Sequence, residues 1–270
     1  MRLVEDTEAL SRFMATFENK PREGIHVSDV VGVCLRRTLL DRVHGRPLPD
    51  ASTAAKWGVG LEWEEVLTPR LYPDCERQVH VELDGIVGTV DFVDKEHGVS
   101  VEAKATWHKP PGALVDVDVW RKRLWWVFSQ HMGYTKMLGK TWGRIATLYV
   151  NGMDGDLRWR PGGPELRFLN VYYSQSDLDH NWEELRANKA LLIAGGRGEK
   201  VLPGAKMNGI CGSCPHVDEL TELPITQQAH PTFPCDGVAR LTMRYLKESG
   251  RNIFQQEMST SMNTEDANGK

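Results

Sequence analysis

Gly85-Ile86-Val87-Gly88-Thr89-Val90-Asp91-Phe92-Val93, followed by Val99-Ser100-Val101-Glu102-Ala103-Lys104-Ala105, is the stretch that decides the fold of this 270-residue chain. Both runs are apolar and bounded by turn-forming residues. They predict two buried strands with Asp94 to Gly98 as the turn between them. Side chains alternate faces along a strand, so Glu102 and Lys104 leave the same face. Asp91, separated from Glu102 by ten residues, lies on the neighbouring run. Two carboxylates and an ammonium meeting on paired strands can hold a hard divalent metal and activate a water beside it. The same spacing also fits a salt bridge at a hairpin, so both readings stand at this point.

The flanking sequence predicts a helix over residues 5–18 and a second helix capped by Ser28 that runs to about His44. A third helix is expected over 53–72, stopped by Pro73. A strand near 77–83 would precede the two central ones, and Pro110-Pro111-Gly112 breaks the chain after them. One long helix is predicted over 117–139, then strands over 144–150 and 166–173. Ser176, with Asp179 three residues on, would cap another helix whose Leu178, Trp182, Leu185 and Leu192 fall at core spacing. A last helix is expected over 238–248 and a polar, disordered tail over 259–270. The order predicts an α/β protein: a mixed central sheet flanked by helices.

The net charge is −4, so the chain as a whole does not announce a nucleic-acid binder. Between Lys104 and Arg144, however, eight Lys or Arg face only Asp116 and Asp118. Such a run beside an acidic site offers a positive path to a phosphodiester. No apolar run approaches the ~20 residues that span a bilayer. The charged start Met1-Arg2-Leu3-Val4-Glu5-Asp6 has no signal-peptide core, which predicts a soluble, cytoplasmic protein.

Three features extend the site. Glu62, after Gly58-Val59-Gly60-Leu61, could add a third carboxylate, with Glu65 as the competing candidate. Gln130 and Tyr134 are four apart on a predicted helix and project from one face. Cys34, Cys211, Cys214 and Cys235 bracket the whole unit. The Cys211-Gly212-Ser213-Cys214 pair suits zinc, a redox dithiol or an iron–sulfur cluster. The thioredoxin-like context of a redox pair is missing, and His216 is at hand as an extra zinc ligand.

With these residues in order, the chain resembles the RecB-like branch of the PD-(D/E)XK nuclease superfamily over roughly residues 26–240. Asp91 matches the family's metal-binding Asp, Glu102 and Lys104 its Glu-x-Lys, Gln130 and Tyr134 its Gln-x-x-x-Tyr helix motif, and Glu62 its upstream helix ligand. The resemblance implies an α-β-β-β-α-β core and metal-dependent DNA cleavage. Asp91, Glu102, Glu62 and the Ala103 carbonyl would bind Mg²⁺ or Mn²⁺, and Lys104 would stabilise the transition state. Gln130 and Tyr134 would position DNA, with Arg121, Lys122 and Arg123 touching phosphates.

One group within that branch, the CRISPR-associated Cas-four exonucleases, implies a 4Fe-4S cluster on Cys34, Cys211, Cys214 and Cys235. This cluster would join the N-terminal and C-terminal segments. Here twenty residues separate Cys214 from Cys235, a departure from the family's shorter spacing that keeps zinc in play. The organisation implied is an N-terminal helix over 1–25 and a nuclease domain over 26–258, with its cysteine-rich segment at 205–240. The activity implied is 5′-to-3′ exonucleolysis of single-stranded DNA or DNA ends. Alternatives are a phage-type duplex-end exonuclease, a structure-specific endonuclease, or a DNA-binding assembly subunit with a dormant site. CRISPR integration or phage recombination proteins are the implied partners.

Overall fold

The computed structural model describes residues 7–17, 23–32, 34–46, 48–107, 117–150, 164–199, 202, 236–250 and 253–254. The chain divides into two compact units. The first comprises Met1–Glu18, Leu48–Leu83 and Val87–Trp182; the second comprises Asn19–Pro47, Asp84–Ile86 and Glu183–Lys270.

The first unit is built on a five-stranded sheet in sequence order: β1 (Cys75–Leu83), β2 (Ile86–Asp94), β3 (Val99–Thr106), β4 (Trp142–Tyr149) and β5 (Glu165–Tyr172). β2 and β3 pair antiparallel through Phe92↔Val101, Val93↔Ser100 and Asp94↔Val99. β3 and β4 run parallel, and β4 and β5 antiparallel, so the sheet is mixed as expected. Asp94 organises the β2–β3 turn: its Oδ1 accepts the Glu96 amide at 2.9 Å and its carbonyl the Gly98 amide at 2.7 Å. Arg144 Nη1 on β4 donates to Asp94 Oδ2 at 2.5 Å, so the predicted turn is also tied to the sheet. Gly98 has φ +63, a conformation glycine adopts at no steric cost.

A helix precedes the sheet as α4 (Ala51–Glu62), which continues through a π-helical turn at Trp63–Leu67 into α5 (Thr68–Leu71). Asp50 caps α4, its Oδ1 accepting the Thr53 amide. Trp63 is 2% exposed and packs with Phe92, Val101, Ala103 and Ala146 on one face of the sheet. A second core joins Ile145 and Tyr149 of β4 to Leu124, Val127, Phe128 and Met132. These last lie on or just before α7 (Trp125–Met137).

The single helix expected over 117–139 is two, α6 (Val117–Arg123) and α7, because Leu124 leaves helical geometry (φ −118, ψ 28). α8 (Gln175–Gly196) starts earlier than expected. Ser174, not Ser176, caps it: Ser174 Oγ accepts the Asp177 amide at 3.0 Å and Asp177 Oδ2 accepts the Ser174 amide at 3.3 Å. Its stripe of Leu178, Trp182, Leu185 and Leu192 is buried as expected. α1 (Thr7–Ala15) also belongs to this unit, where the Phe13 ring lies beside Gly58 of α4.

In the second unit the helix expected from Ser28 to His44 is α2 (Val27–Val30) and α3 (Leu35–His44), interrupted where Gly32 takes φ +80. His26, not Ser28, precedes the first of these as its cap residue. Arg36, 4% exposed, donates to the Leu202 carbonyl from Nε (3.1 Å) and Nη2 (2.9 Å). α9 (Asp236–Ser249) closes the list of helices and lies within two residues of the expected span at each end. No helix among the described residues is long and apolar enough to cross a membrane. The 259–270 tail and most of the cysteine-rich segment lie outside the described residues.

Candidate active site

The site assembles where β2 meets β3. Asp91 Oδ2 accepts the Ala103 amide at 2.9 Å, which clamps the aspartate against the strand that carries Glu102. Glu102 is wholly buried, at 0% exposure. Lys104 Nζ lies 2.5 Å from Glu102 Oε1, with about a third of its own side chain exposed. Among the described residues neither Glu102 oxygen accepts a well-aligned hydrogen bond, although Lys104 is close enough to act on it both as a charge and as a hydrogen-bonding neighbour. The trio read from sequence is therefore one cluster.

Electrostatics follow from that burial. Loss of solvent pushes the Glu102 carboxyl up to about 7, the Asp91 charge adds to the rise, and Lys104 opposes it. Asp91 is likewise raised by burial, with Lys104 and the Ala103 amide pulling back. Burial disfavours the Lys104 ammonium, but the charges of Glu102 and Asp91 outweigh it and hold the lysine above its ordinary value. Lys104 therefore stays protonated at neutral pH.

The helix carboxylates divide by exposure. Glu62 and Glu65 are both exposed, whereas Glu64 is half-buried. Burial and then the Asp91 charge raise the Glu64 carboxyl, and Glu64 in turn acts on Glu102. Glu64 lies within the π-helical turn at Trp63–Leu67, where the spacing departs from 3.6 residues per turn. Trp63 anchors that turn: its Nε1 donates to the Ala146 carbonyl at 3.2 Å, and Thr68 Oγ1 donates to the Trp63 carbonyl at 2.8 Å. Gln78 Nε2 on β1 donates to Glu64 Oε1 at 2.5 Å. Apolar periodicity carries no signal for Glu64.

The α7 pair is present as read. Gln130 Nε2 donates to Tyr134 Oη at 3.1 Å, and Tyr134 is 4% exposed. Burial, then the Glu102 charge, keeps the Tyr134 phenol protonated well beyond its ordinary range. Gly88 makes room for this ring, since a Cβ there would stand 2.7 Å from Tyr134 Cε1. Beneath the site, His131 is fully buried; its Nε2 contacts Ser100 Oγ at 3.1 Å and its Nδ1 Tyr173 Oη at 2.7 Å. Desolvation lowers it to about 4, so it is neutral at neutral pH.

Arg121, Lys122 and Arg123 are exposed on α6, with Arg121 Nη2 3.2 Å from Asp177 Oδ1. Trp120 is core, at 3% exposure. Cys34 is half-buried at the start of α3, where its Sγ accepts the Arg37 amide at 3.4 Å. Cys211, Cys214 and Cys235 lie outside the described residues.

Among the described residues, no three His, Cys, Asp or Glu side chains already close around a point that could hold a metal. The donor chemistry at Asp91 and Glu102 still fits a hard divalent ion. A buried carboxylate is costly when ionised; Lys104 offsets only part of that cost, since Glu102 still stands above its ordinary value, and a metal cation would relieve the rest. The ligands on offer are all oxygen, as Mg²⁺ and Mn²⁺ prefer.

No protein-family model and no curated protein matches the chain. Among solved structures it is similar to a protein named SSO0001 (16% identity, 78% of this chain and 94% of that one, TM-score 0.46). It is also similar to an alkaline exonuclease from Laribacter hongkongensis (13% identity, 68% and 93%, TM-score 0.40). A third is a phage-related exonuclease from Haemophilus somnus 129PT (11% identity, 65% and 94%, TM-score 0.35). At this level of likeness a functional reading must come from the site's own residues.

Proposed function

We propose that the chain is a metal-dependent nuclease that hydrolyses DNA phosphodiester bonds from strand ends. The observation that supports this reading is Glu102: a fully buried carboxylate beside Asp91 and a Lys104 held protonated by both. Asp91, Glu102 and the Ala103 carbonyl would hold Mg²⁺ or Mn²⁺, with Glu64 in the role first expected of Glu62 or Glu65. Such an ion supplies Lewis-acid polarisation of a phosphoryl oxygen and a water of lowered pKa. Lys104, held protonated by its two carboxylates, stabilises negative charge as it grows on the phosphate. The Tyr134 hydroxyl, already accepting from Gln130, keeps its own proton to donate to the strand. Lys122 and Arg123 offer further phosphate contacts from α6.

The finer parts of the reading rest on the family resemblance: 5′-to-3′ polarity, preference for single strands, CRISPR or phage recombination partners, and a 4Fe-4S cluster on Cys34, Cys211, Cys214 and Cys235. Iron content and visible absorbance of anaerobically purified protein test the cluster, and a colourless zinc protein would overturn it. The nuclease reading itself is tested with end-labelled single-stranded, duplex and circular DNA in Mg²⁺ or Mn²⁺. Linear DNA is degraded by the wild type, and Asp91→Ala or Lys104→Ala slows this by roughly a hundredfold or more. Undiminished cleavage by both variants would refute the assignment.

A further inference from the structure

The sheet carries a second polar feature in line with the catalytic lysine. Lys104 of β3 is the cross-strand partner of Thr147 of β4, and Thr147 is the partner of Arg167 of β5. Directly paired residues share a face, so Lys104, Thr147 and Arg167 form one row across three strands. Neighbouring strands lie ~4.8 Å apart, which puts the Lys104 and Arg167 backbones roughly 10 Å from one another. Lys104 is 30% exposed and Arg167 35%, while Thr147 between them is 2% exposed. The row thus presents two cations separated by a small buried hydroxyl residue.

One atom at the far end of this row lacks a partner among the described residues: Arg167 Nε, which is buried. Tyr149, two residues beyond Thr147 on the same face of β4, is 2% exposed, and its hydroxyl has the Thr147 side chain as a hydrogen-bonding neighbour. Arg167 Nη2 pairs with Glu165 Oε1, which leaves the rest of the guanidinium fork available. The two groups sense each other: burial raises the Tyr149 phenol to about 12, and Arg167 and the Thr147 hydroxyl oppose that rise. At neutral pH both are therefore donors, and an unmade buried donor such as Arg167 Nε is a cost that an anion would remove. Both donors recognise oxyanions, the guanidinium through a charge-assisted bond.

We propose that Arg167, backed from the core by Tyr149, forms a phosphate subsite that grips the DNA backbone one linkage away from the phosphate at Lys104. This rests on the nuclease reading for the position of the scissile phosphate. The roughly 10 Å backbone separation leaves two long cationic side chains free to converge on successive phosphates of one strand. The subsite would set the register of the strand and favour substrates with more than one phosphodiester. Its contribution is to binding, whereas that of Lys104 is to the chemical step.

The test combines Arg167→Gln and Tyr149→Phe with oligonucleotides bearing one uncharged methylphosphonate linkage next to the labelled scissile bond. Binding is read by fluorescence anisotropy in EDTA, cleavage by single-turnover kinetics in Mn²⁺, and folding by thermal melting. Arg167→Gln should weaken binding of normal DNA about tenfold and raise KM while leaving kcat near wild type. The methylphosphonate should cost the wild type a similar factor and the Arg167→Gln protein nothing further. Tyr149→Phe, which deletes one oxygen from an otherwise unchanged ring, should show the same pattern more weakly. Equal losses from the methylphosphonate in wild type and both variants would overturn the subsite, whatever the activity. Cleavage absent in the wild type, with the binding pattern intact, would overturn the nuclease reading and keep the subsite.

Discussion

Raising the pH of metal-free protein should destabilise it through Glu102, and Glu102→Gln should remove that effect. Burial raises this carboxyl from 4.5 to about 7, so the folded state holds the proton more tightly than the unfolded chain does. The stability linked to that proton is complete below pH ~4.5 and is lost as pH rises through ~7. At about 1.4 kcal/mol for each tenfold change in proton affinity, the loss is on the order of 3 kcal/mol. The transition should be broad, because Asp91 shares the same field and is itself raised. The assay is urea unfolding in EDTA at a series of pH values, for wild type and Glu102→Gln. Their difference isolates Glu102 because every other titrating group is common to both, to first order. Between pH 4.5 and 8 the wild type should lose about 3 kcal/mol relative to the variant. Excess Mn²⁺ should restore it at high pH, since an ion bound only to the folded state adds stability. A flat difference curve would refute the buried environment inferred for this carboxylate.

Acid should act through a different residue. His131 is lowered from 6.5 to about 4 by burial, so its contribution is complete above pH ~6.5 and is lost as pH falls through ~4. His131→Gln, followed by circular dichroism, should therefore unfold over a range less dependent on pH between 6.5 and 4, and an unchanged acid slope would exclude His131 as its source. Gly88→Ala places a Cβ 2.7 Å from Tyr134 Cε1 and 3.2 Å from Val81 Cγ2, contacts that must be relieved by moving the ring. It should cost about 1–3 kcal/mol in thermal unfolding and slow cleavage as Tyr134 shifts, and neither loss occurring would show that the ring has room to spare.

The parts of this site carried by strands could be read directly. A period of two fixes which side of β3 Glu102 and Lys104 share, and no later contact alters it. The Asp94 to Gly98 turn and the Gln130–Tyr134 pair are likewise local relations, four residues or fewer in span. Helix continuity proved less legible. Leu124 breaks the run from Val117 to Met137 although nothing in its side chain disfavours a helix, and Gly32 interrupts the run through Ser28. The helix carboxylates were hard to rank for a related reason. A π-helical turn held by Trp63 on the Ala146 carbonyl is a tertiary event, and around it Glu62 and Glu65 are exposed while Glu64 is half-buried. The Arg167 row could not be read from the sequence alone, because it depends on the register of three strands distant in sequence.

The central claim is that Asp91, Glu102 and Lys104 form one metal-dependent phosphodiesterase centre. Its most direct test is a Mn²⁺ titration that follows metal binding and DNA cleavage in the same samples, for wild type and Asp91→Asn. The account predicts that binding and cleavage rise together in the wild type and that both are lost in the variant. Cleavage that persists in EDTA, or an Asp91→Asn protein that binds Mn²⁺ and cuts DNA as the wild type does, would contradict it.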